Sequence, residues 1–153
     1  MFLEPITCQD KLEICSWKYE GVYSVYNLPP YQELAKRQMA FAHPKKERNY
    51  FVCHRCSTLI GYVNLFEKPA GVFIGMGVAP ALCGQGYGRQ ILSAAVVLSQ
   101  KLYPGRTPYL EVRCWNKRAI RCYEAAGFQI DGPARSIETL TGPADFYRML
   151  YRR

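Results

Sequence analysis

The sequence predicts a mixed α/β or α+β protein built around one central β-sheet. Short runs rich in β-branched and aromatic residues recur along the 153-residue chain, as is typical of strands. Helical patterns stand between these runs, and a glycine-rich turn links one strand directly to one helix. With 49% hydrophobic and 21% charged residues, the chain has an ordinary globular composition and is long enough to bury a core.

The first half predicts a strand, helical segments and a hairpin. A short N-terminal strand is predicted for MFLEPIT, where Pro5 is tolerated at a strand end. A mostly helical region follows and is broken at NLPP, and a second helix is predicted for YQELAKRQMAF, which Pro44 ends. Two hairpin strands are then predicted for NYFVCH and TLIGYVNLF, joined through RCS.

The second half of the sequence predicts four more strands around two helices. A strand is predicted for AGVFIGMGV, and a helix follows whose apolar stripe is Ile91, Leu92, Ala95, Leu98 and Leu102. The next strand is YLEVRCW. We expect Asn116 to cap the helix KRAIRCYEAAG and Gly127 to end it in a left-handed conformation. Two closing strands, FQIDGPARSIETL and DFYRMLYR, are joined across TGPA.

Composition and charge narrow the function classes. The net charge of +8 comes from 20 Lys and Arg against 12 Asp and Glu, and it favours anionic ligands. The basic residues are spread along the chain, so a nucleic-acid groove is not indicated. The N-terminus does not have the pattern of a signal peptide, and the apolar segment ILSAAVVLS is too short to span a membrane. Seven scattered cysteines indicate reduced thiols, and the sequence predicts a cytoplasmic protein.

The segment MGVAPALCGQGYGRQ raises the functional question. Gly84, Gly86 and Gly88 lie between a predicted strand and a predicted helix, where backbone N–H groups at a helix N-terminus can bind phosphate. The residue types and glycine spacing of this segment match neither the P-loop motif nor the dinucleotide-binding motif. Taken alone, the three glycines are explained equally well by a tight turn that allows close packing of helix and strand.

A second segment, LEVRCWNKRAIRCYEAAGF, changes this balance. It places Asn116 and Tyr123 seven residues apart, which is two helical turns and therefore one side of the helix. Together the two segments resemble the GNAT superfamily of N-acyltransferases over nearly the whole chain, as one domain of residues 1–153. The signature of that family is Arg or Gln, two residues, Gly, any residue, then Gly or Ala. Here it begins at Cys83, which replaces the Arg or Gln, and ends at Gly88.

The resemblance implies a fold, a reaction and a binding site. The fold is a mixed, splayed sheet of about seven strands flanked by about four helices, and the reaction is acetyl transfer from acetyl-CoA to an amine, without a metal. The pantetheine arm lies where the strands VFIGMGV and YLEVRCW part, and the diphosphate lies on the loop amides. The residues implied in binding acetyl-CoA are Met76, Gly77, Val78, Cys83, Gly84, Gln85, Gly86, Tyr87, Gly88, Arg89 and Asn116.

Two residues are implied in proton transfer. Tyr123 matches the tyrosine that protonates the departing thiolate in many relatives; the alternative is a core tyrosine. The strand AGVFIGMGV has no carboxylate, so we expect the base at Glu111 in LEVR, as in ribosomal-protein N-terminal acetyltransferases. An ion pair of Glu111 with Arg113 is an equal alternative, because residues two apart share a strand face. A water chain is a third explanation, whereas His43 and His54 fit surface positions better.

Two cysteine motifs invite other chemistry. A nucleophilic role for Cys83 is disfavoured because no histidine is near it in sequence. Cys53 and Cys56 in CHRC resemble half of a zinc site, but no matching second pair follows, so the spacing fits a hairpin turn better.

The sequence therefore predicts an N-acetyltransferase that acts by direct attack in a ternary complex. The acceptor is left open between a small amine and a protein N-terminus or lysine, and a homodimer is also left open. An alternative is a catalytically weak acyl-CoA-binding module that serves as a sensor or subunit. The region expected to line the acceptor pocket, residues 14–41, is rich in aromatic residues, namely Trp17, Tyr19, Tyr23, Tyr26 and Tyr31. They could equally form core.

Overall fold

The computed structural model describes residues 1–152 as an eight-stranded sheet with four α-helices and four short 3₁₀ helices. The strands are β1 (Glu4–Pro5), β2 (Tyr50–Arg55), β3 (Thr58–Lys68), β4 (Gly71–Val78), β5 (Pro108–Arg113), β6 (Phe128–Ile130), β7 (Arg135–Thr139) and β8 (Gly142–Tyr151). The helices are α1 (Cys8–Ser16), α2 (Tyr31–Arg37), α3 (Tyr87–Leu102) and α4 (Lys117–Ala125). The 3₁₀ helices are Gly21–Tyr26, Ala40–Ala42, Glu47–Asn49 and Pro80–Leu82.

The sheet is mixed, with strand order β1-β2-β3-β4-β5-β8-β6. β7 also pairs with β8, on the same edge as β6 but nearer the start of β8. All neighbours are antiparallel except β4 and β5, which run parallel. The mixed α/β class and the predicted strand-and-helix alternation are confirmed.

The sheet opens at its centre. β4 pairs with β3 along its whole length, but it meets β5 only where Val72 lies opposite Pro108 and Phe73 opposite Tyr109. Beyond Phe73 the two strands diverge, so the remainder of β4 faces a gap on that side. This confirms the splayed sheet that the family resemblance implies.

Each face of the sheet has its own core. α3 and α4 cover one face, where the buried residues include Leu65, Ile74, Leu92, Val112, Phe128 and Met149. α1 and α2 cover the other face, where the buried residues include Ile14, Trp17, Leu34, Phe41 and Val52. The second core contains no residue of strands β5–β8, so that half of its face has no helix layer over it in residues 1–152.

Two predicted boundaries are wrong. The second helix ends at Arg37 rather than near Pro44, because Gln38 adopts a left-handed conformation (φ 49°). The segment predicted as one closing strand is two strands, β6 and β7, because Gly132 (φ 80°) and Pro133 interrupt it. The sheet consequently has eight strands rather than about seven. None of the helices within residues 1–152 has the length and apolar character needed to cross a membrane.

Candidate active site

The free edge of β4 has unpaired backbone groups. The Val72 N–H donates to the Thr107 carbonyl on the β5 side, whereas the Ala79 N–H donates to the Ile60 carbonyl on the β3 side. Because hydrogen-bonding direction alternates along a strand, Met76 and Val78 direct their N–H and C=O groups into the gap. The backbone N–H and C=O groups of Gly77 point the other way, toward β3.

One carbonyl at this edge already has a partner. The Tyr19 hydroxyl donates a 2.6 Å hydrogen bond to the Val78 carbonyl across the mouth of the gap. Burial is the largest cause that raises the pKa of Tyr19, so this phenol stays protonated and remains a donor at neutral pH. Tyr19 therefore fixes the loop before the first 3₁₀ helix against the end of β4.

The glycine loop is open on the side of the gap. Gly84 and Gly86 have φ angles of 80° and 84°, and a Cβ atom at either position would meet no atom within 4 Å. Gly86 is the N-cap of α3 and has no side chain to cap the helix, so the first-turn N–H groups of α3 lack a side-chain acceptor. These two glycines permit a turn that presents backbone donors to empty space, which suits an anion.

Gly88 has a different explanation. A Cβ atom there would lie 3.0 Å from Cys122 Sγ on α4. The absence of a side chain at Gly88 therefore allows α3 and α4 to approach closely. The packing explanation that the sequence left open thus applies to one of the three glycines.

The side chains of the loop point to protein partners. Cys83 Sγ donates to the Ala79 and Val78 carbonyls at 3.6 and 3.8 Å, and burial raises the pKa of its thiol. A thiol that is protonated and hydrogen-bonded to carbonyls is a poor nucleophile. The Gln85 amide donates to the Ala81 carbonyl at 3.0 Å. The loop thus offers its backbone, rather than these side chains, to the open side.

Tyr87 and Arg89 lie in the first turn of α3. Arg55 donates to the Tyr87 hydroxyl at 3.1 Å, so that ring leans toward the β2–β3 hairpin. Burial raises the pKa of the Cys122 thiol, and the charge of Arg89 opposes this effect from nearby. Arg89 therefore places a positive charge in the first turn of α3, where it could contact a bound phosphate.

Asn116 caps α4, as predicted. Its Oδ1 accepts from the Ala119 N–H at 3.1 Å, and its Nδ2 donates to the Tyr26 hydroxyl at 2.9 Å. The residue is buried, and one amide hydrogen has no partner assigned in residues 1–152. Asn116 thus joins the helix start to the 3₁₀ helix Gly21–Tyr26.

Tyr123 is half-buried on α4 and packs against the core beneath α3 and α4. Its hydroxyl makes no side-chain hydrogen bond within the described part of the chain. Burial is the largest cause that raises the pKa of Tyr123, nearby Cys122, Tyr26 and Tyr62 add to the rise, and Arg118 opposes it. The phenol is consequently protonated at neutral pH, which a proton donor requires.

Glu111 has a different partner from the one expected. The alternative ion pair with Arg113 is wrong, because Glu111 lies 3.6 Å from Arg148, directly across from it on β8. The guanidinium of Arg113 lies instead 5.2 Å from the centre of the Phe146 ring and 6.0 Å from that of Tyr26. About a quarter of the Glu111 side chain is exposed, so its carboxylate is accessible from solvent.

The aromatic residues of the N-terminal region divide into two groups. Trp17 is buried in the core under α1 and α2, and Tyr31 packs against that core. Tyr19, Tyr23 and Tyr26 lie at the mouth of the gap, where Tyr23 and Tyr26 contact Trp115 with ring centres 5.7 and 6.1 Å apart. The aromatic wall at the mouth is therefore formed by the second group and Trp115.

Sequence reasoning missed Trp115 of this wall and also Arg118. Its guanidinium lies 3.9 Å from the centre of the Tyr23 ring, and its charge opposes the raised pKa values of Tyr19, Cys83 and Tyr123. It therefore stands close to the loop, the aromatic wall and the phenol together. A signal was available in the sequence, since Arg118 is in the first turn of the helix that Asn116 caps.

The remaining candidates lie elsewhere. His54 Nε2 is 2.9 Å from the Asp10 carboxylate near β1, and His43 accepts from the Lys45 N–H at 3.1 Å. Cys53 is buried in the core, whereas Cys56 is exposed in the β2–β3 turn, so the two thiols do not converge. In residues 1–152, His, Cys, Asp and Glu side chains form no group of three or more suited to a metal ion.

Comparisons with known proteins agree with this geometry. The model of the acetyltransferase (GNAT) family matches residues 12–128. The N-alpha-acetyltransferase RimI of Mycobacterium tuberculosis is 33% identical over an alignment of 122 residues, and the match covers 74% of this chain and 69% of that protein.

Solved structures share the fold at lower identity. A spermidine N-acetyltransferase SpeG chimera from Vibrio cholerae and hSSAT has a TM-score of 0.75 at 24% identity, covering 98% of this chain and 94% of that one. AAC(6')-Ib in complex with paromomycin and acetyl-CoA has a TM-score of 0.74 at 21% identity, covering 99% and 92%. The ribosomal-protein-S18-alanine N-acetyltransferase from Escherichia coli has a TM-score of 0.66 at 19% identity, covering 97% and 91%. The chain belongs to the GNAT acetyltransferase family and is an acyltransferase.

Proposed function

We propose that residues 1–153 act as one N-acetyltransferase domain that transfers the acetyl group of acetyl-CoA to a primary amine. One observation carries this proposal: the unpaired edge of β4 opens directly beside the unfilled glycine loop at the start of α3. This juxtaposition offers amide hydrogen bonds for a pantetheine arm and an anion site for a diphosphate at one end of the same gap.

The residues present fit acetyl-CoA. The N–H and C=O groups of Met76 and the N–H of Val78 are available to the pantetheine amides, and the amides at Gly84, Gly86 and the first turn of α3 are available to the diphosphate. When bound, acetyl-CoA supplies a thioester whose carbonyl carbon an amine can attack. Transfer then forms one C–N bond and breaks one C–S bond.

Two groups are proposed to handle the protons. Glu111 accepts the proton that the attacking amine loses, directly or through water, since its carboxylate is partly exposed. Tyr123 donates its phenolic proton to the departing thiolate, and its raised pKa keeps that proton in place until the transfer. Both reactants are held together in a ternary complex, so no acyl-enzyme is required.

The acceptor class is proposed from the relatives. By name, the relatives above are an N-alpha-acetyltransferase, a ribosomal-protein-S18-alanine N-acetyltransferase, a spermidine N-acetyltransferase and an aminoglycoside acetyltransferase. A primary amine is the acceptor group that suits all of them. We propose the acceptor of this chain as a primary amine on a small molecule or on a protein N-terminus or lysine.

Two observations favour a second function, an acyl-CoA-binding module with weak catalysis. Cys83 stands where the family has Arg or Gln, and its thiol is turned to the Ala79 carbonyl. In addition, Arg148 holds the proposed base in an ion pair. Such a module would bind acetyl-CoA at the same gap without turnover.

Thiol release distinguishes the two functions. Purified protein is incubated with acetyl-CoA and a panel of amines and peptides, free coenzyme A thiol is followed optically, and acetylated products are identified by mass. An N-acetyltransferase releases thiol in proportion to one acetylated amine. Calorimetric binding of acetyl-CoA without thiol release above background from any acceptor would instead support the binding module.

A further inference from the structure

The half of the sheet without a helix layer has a row of arginines on its exposed side. Arg113 on β5 lies opposite Phe146 on β8, and Phe146 lies opposite Arg135 on β7, so the three side chains share one face. The neighbouring row pairs Glu111 with Arg148 on this same face. We call these five residues the arginine face.

The positive charge of this face is not neutralised. Glu111 pairs with Arg148, but Arg113 and Arg135 have no acidic partner within 4 Å in residues 1–152. Two acidic residues lie on the same strands: Glu138 is three positions from Arg135 on β7, and Asp145 is one position from Phe146 on β8. Both separations are odd. The two acidic residues therefore lie on the opposite face of the sheet. The arrangement leaves two guanidinium groups available on a surface that also has an aromatic ring.

The arginine face is continuous with the proposed catalytic gap. Glu111 and Arg113 are two residues apart on one strand, about 7 Å along it. Arg113 also lies 6.0 Å from the centre of the Tyr26 ring, and the Tyr26 hydroxyl accepts from Asn116 at the start of α4. An acceptor whose amine lies at Glu111 would extend directly over the arginine row.

We propose that the arginine face binds an acidic peptide whose free amino terminus is the acceptor of acetyl transfer. This inference rests on the proposed function and names its substrate class. Carboxylates accept bidentate hydrogen bonds from guanidinium groups. A peptide whose side chains are neutral or cationic has no such acceptor. A polyamine would bring cations against Arg113 and Arg135, which Coulomb repulsion opposes.

Strand spacing places the acidic side chains in the peptide. Arg113 and Arg135 are separated by two strand spacings, about 10 Å, and an extended peptide advances about 3.3 Å per residue. If the amino terminus of the peptide lies at Glu111, carboxylates at peptide positions two to five can reach Arg113, Arg135 or both. The net charge of +8 assists the approach of such a peptide.

The test uses heptapeptides with one N-terminal alanine and either Asp and Glu, Asn and Gln, or Lys at positions two to five. Thiol release gives kcat/KM for each peptide, for spermidine and for free glutamate. Variants Arg135→Gln and Arg135→Glu perturb the face, and Lys101→Gln is the matched control, because Lys101 is exposed at the end of α3. Each peptide is also made with a fluorescent C-terminal label for anisotropy.

We expect the acidic peptide to be used at least tenfold better than the lysine peptide at low salt, with a smaller ratio as salt rises. Arg135→Gln should lower kcat/KM for the acidic peptide about twofold to fivefold through KM, the range of an exposed ion pair, and leave the Asn and Gln peptide unchanged. Arg135→Glu should shift the preference toward lysine.

The proposal is overturned if spermidine, free glutamate or the lysine peptide is used as well as the acidic peptide. It is also overturned if Arg135→Gln acts no differently from Lys101→Gln. If no acceptor supports thiol release, the proposed function fails, and anisotropy then decides this inference alone. Binding of the acidic peptide that weakens in Arg135→Gln but not in Lys101→Gln supports it, and equal binding of all peptides refutes it.

Discussion

The two edges of β4 are formed by the same residues, but they differ in how far they pair with a neighbouring strand. Toward β3 the strand makes eight register pairs, from Gly71 opposite Lys68 to Val78 opposite Gly61. Toward β5 it makes only two. The first edge holds the sheet together, and the second leaves backbone groups for a ligand. A strand that parts from its neighbour therefore becomes a binding surface without any special side chain.

The glycines of the two edges differ in the same way. At the paired edge, a Cβ atom on Gly61 would lie 2.5 Å from the Gly77 carbonyl oxygen and 2.6 Å from Ile91 Cδ1. At the open side, a Cβ atom on Gly84 or Gly86 would meet nothing within 4 Å. Substitutions on the two sides are therefore expected to affect different properties, stability on one and binding on the other.

The largest expected effect is at the open side, in Tyr123→Phe. The ring is kept and only the hydroxyl is lost, so acetyl-CoA affinity and Tm should change little. We expect turnover to fall about 10²–10⁴-fold, the usual contribution of a general acid. Steady-state kinetics on the best acceptor measures it. Wild-type turnover in the variant would remove Tyr123 from the mechanism.

Gly86→Val tests the loop directly. Its φ of 84° strains any side chain, and the added methyl groups would occupy the space proposed for the diphosphate. Gly105→Val is the matched control, since Gly105 has a φ of 78° and equally open surroundings in another loop. We expect both variants to lose similar stability, but only Gly86→Val to lose acetyl-CoA affinity, by tenfold or more, in calorimetric titration. Equal affinities in the two variants would contradict the proposed cradle.

At the paired edge, Gly61→Ala should reduce stability and spare binding. The new Cβ atom would meet a backbone oxygen, which cannot move without disturbing the β3–β4 ladder. Overpacking of this kind costs about 1–3 kcal/mol of the free energy of unfolding, measurable by urea titration. The folded variant should bind acetyl-CoA within about twofold of wild type. A specific loss of affinity without a loss of stability would reverse the assignment of the two edges.

Tyr62, whose ring lies against Gly77 at the paired edge, predicts a pH dependence of stability. Burial raises the pKa of Tyr62 to about 12. Because this is above the value of about 10 in an unfolded chain, its contribution is complete below pH 10 and is lost as pH rises from 10 to 12. Urea unfolding at pH 8 to 11 should show a steeper alkaline loss in wild type than in Tyr62→Phe. Parallel losses would contradict the shift.

The smallest expected effect is in the β2–β3 turn, which supports the paired edge from a distance. Cys56 and Ser57 both have positive φ, at 48° and 66°, as a two-residue hairpin loop of this kind requires, although Asn and Gly are the residues that adopt it easily. Replacing Cys56 by Asn and Ser57 by Gly should raise the free energy of unfolding by about 1 kcal/mol. An unchanged or lower unfolding midpoint would show that these φ angles carry no cost.

Much of the fold follows from local patterns in the sequence. The cap at Asn116 and the start of the α3 stripe, at Ile91, Leu92 and Ala95, depend on residues within one or two turns and were predicted correctly. The end of that stripe was not, because Leu98 is only half-buried and Leu102 is exposed, whereas Val96 and Ser99 are buried. The end of α2 was not, because Gln38 takes a left-handed angle that its residue type does not demand. The split between β6 and β7 was signalled by Gly132 and Pro133, but register with β8 decides it.

The site was predictable only where a motif is contiguous. The loop and α4 motifs are contiguous, whereas the bonds of Tyr19 to Val78 and of Asn116 to Tyr26 join residues 59 and 90 positions apart. The sequence shows that Tyr19 and Tyr26 lie in an aromatic-rich region, but it does not show that they line the gap whereas Trp17 is buried in the core. The partner of Glu111 was missed for the same reason, since cross-strand pairing with Arg148 is set by register rather than by spacing.

Hydrogen–deuterium exchange with and without acetyl-CoA tests the central claim most directly. The account predicts that amides of Met76, Val78 and the loop at Gly84 and Gly86 gain protection on binding, while Gly77, already paired with β3, changes little. Protection confined to other parts of the chain, or equal protection on both edges of β4, would contradict the claim that the unpaired edge is the binding surface.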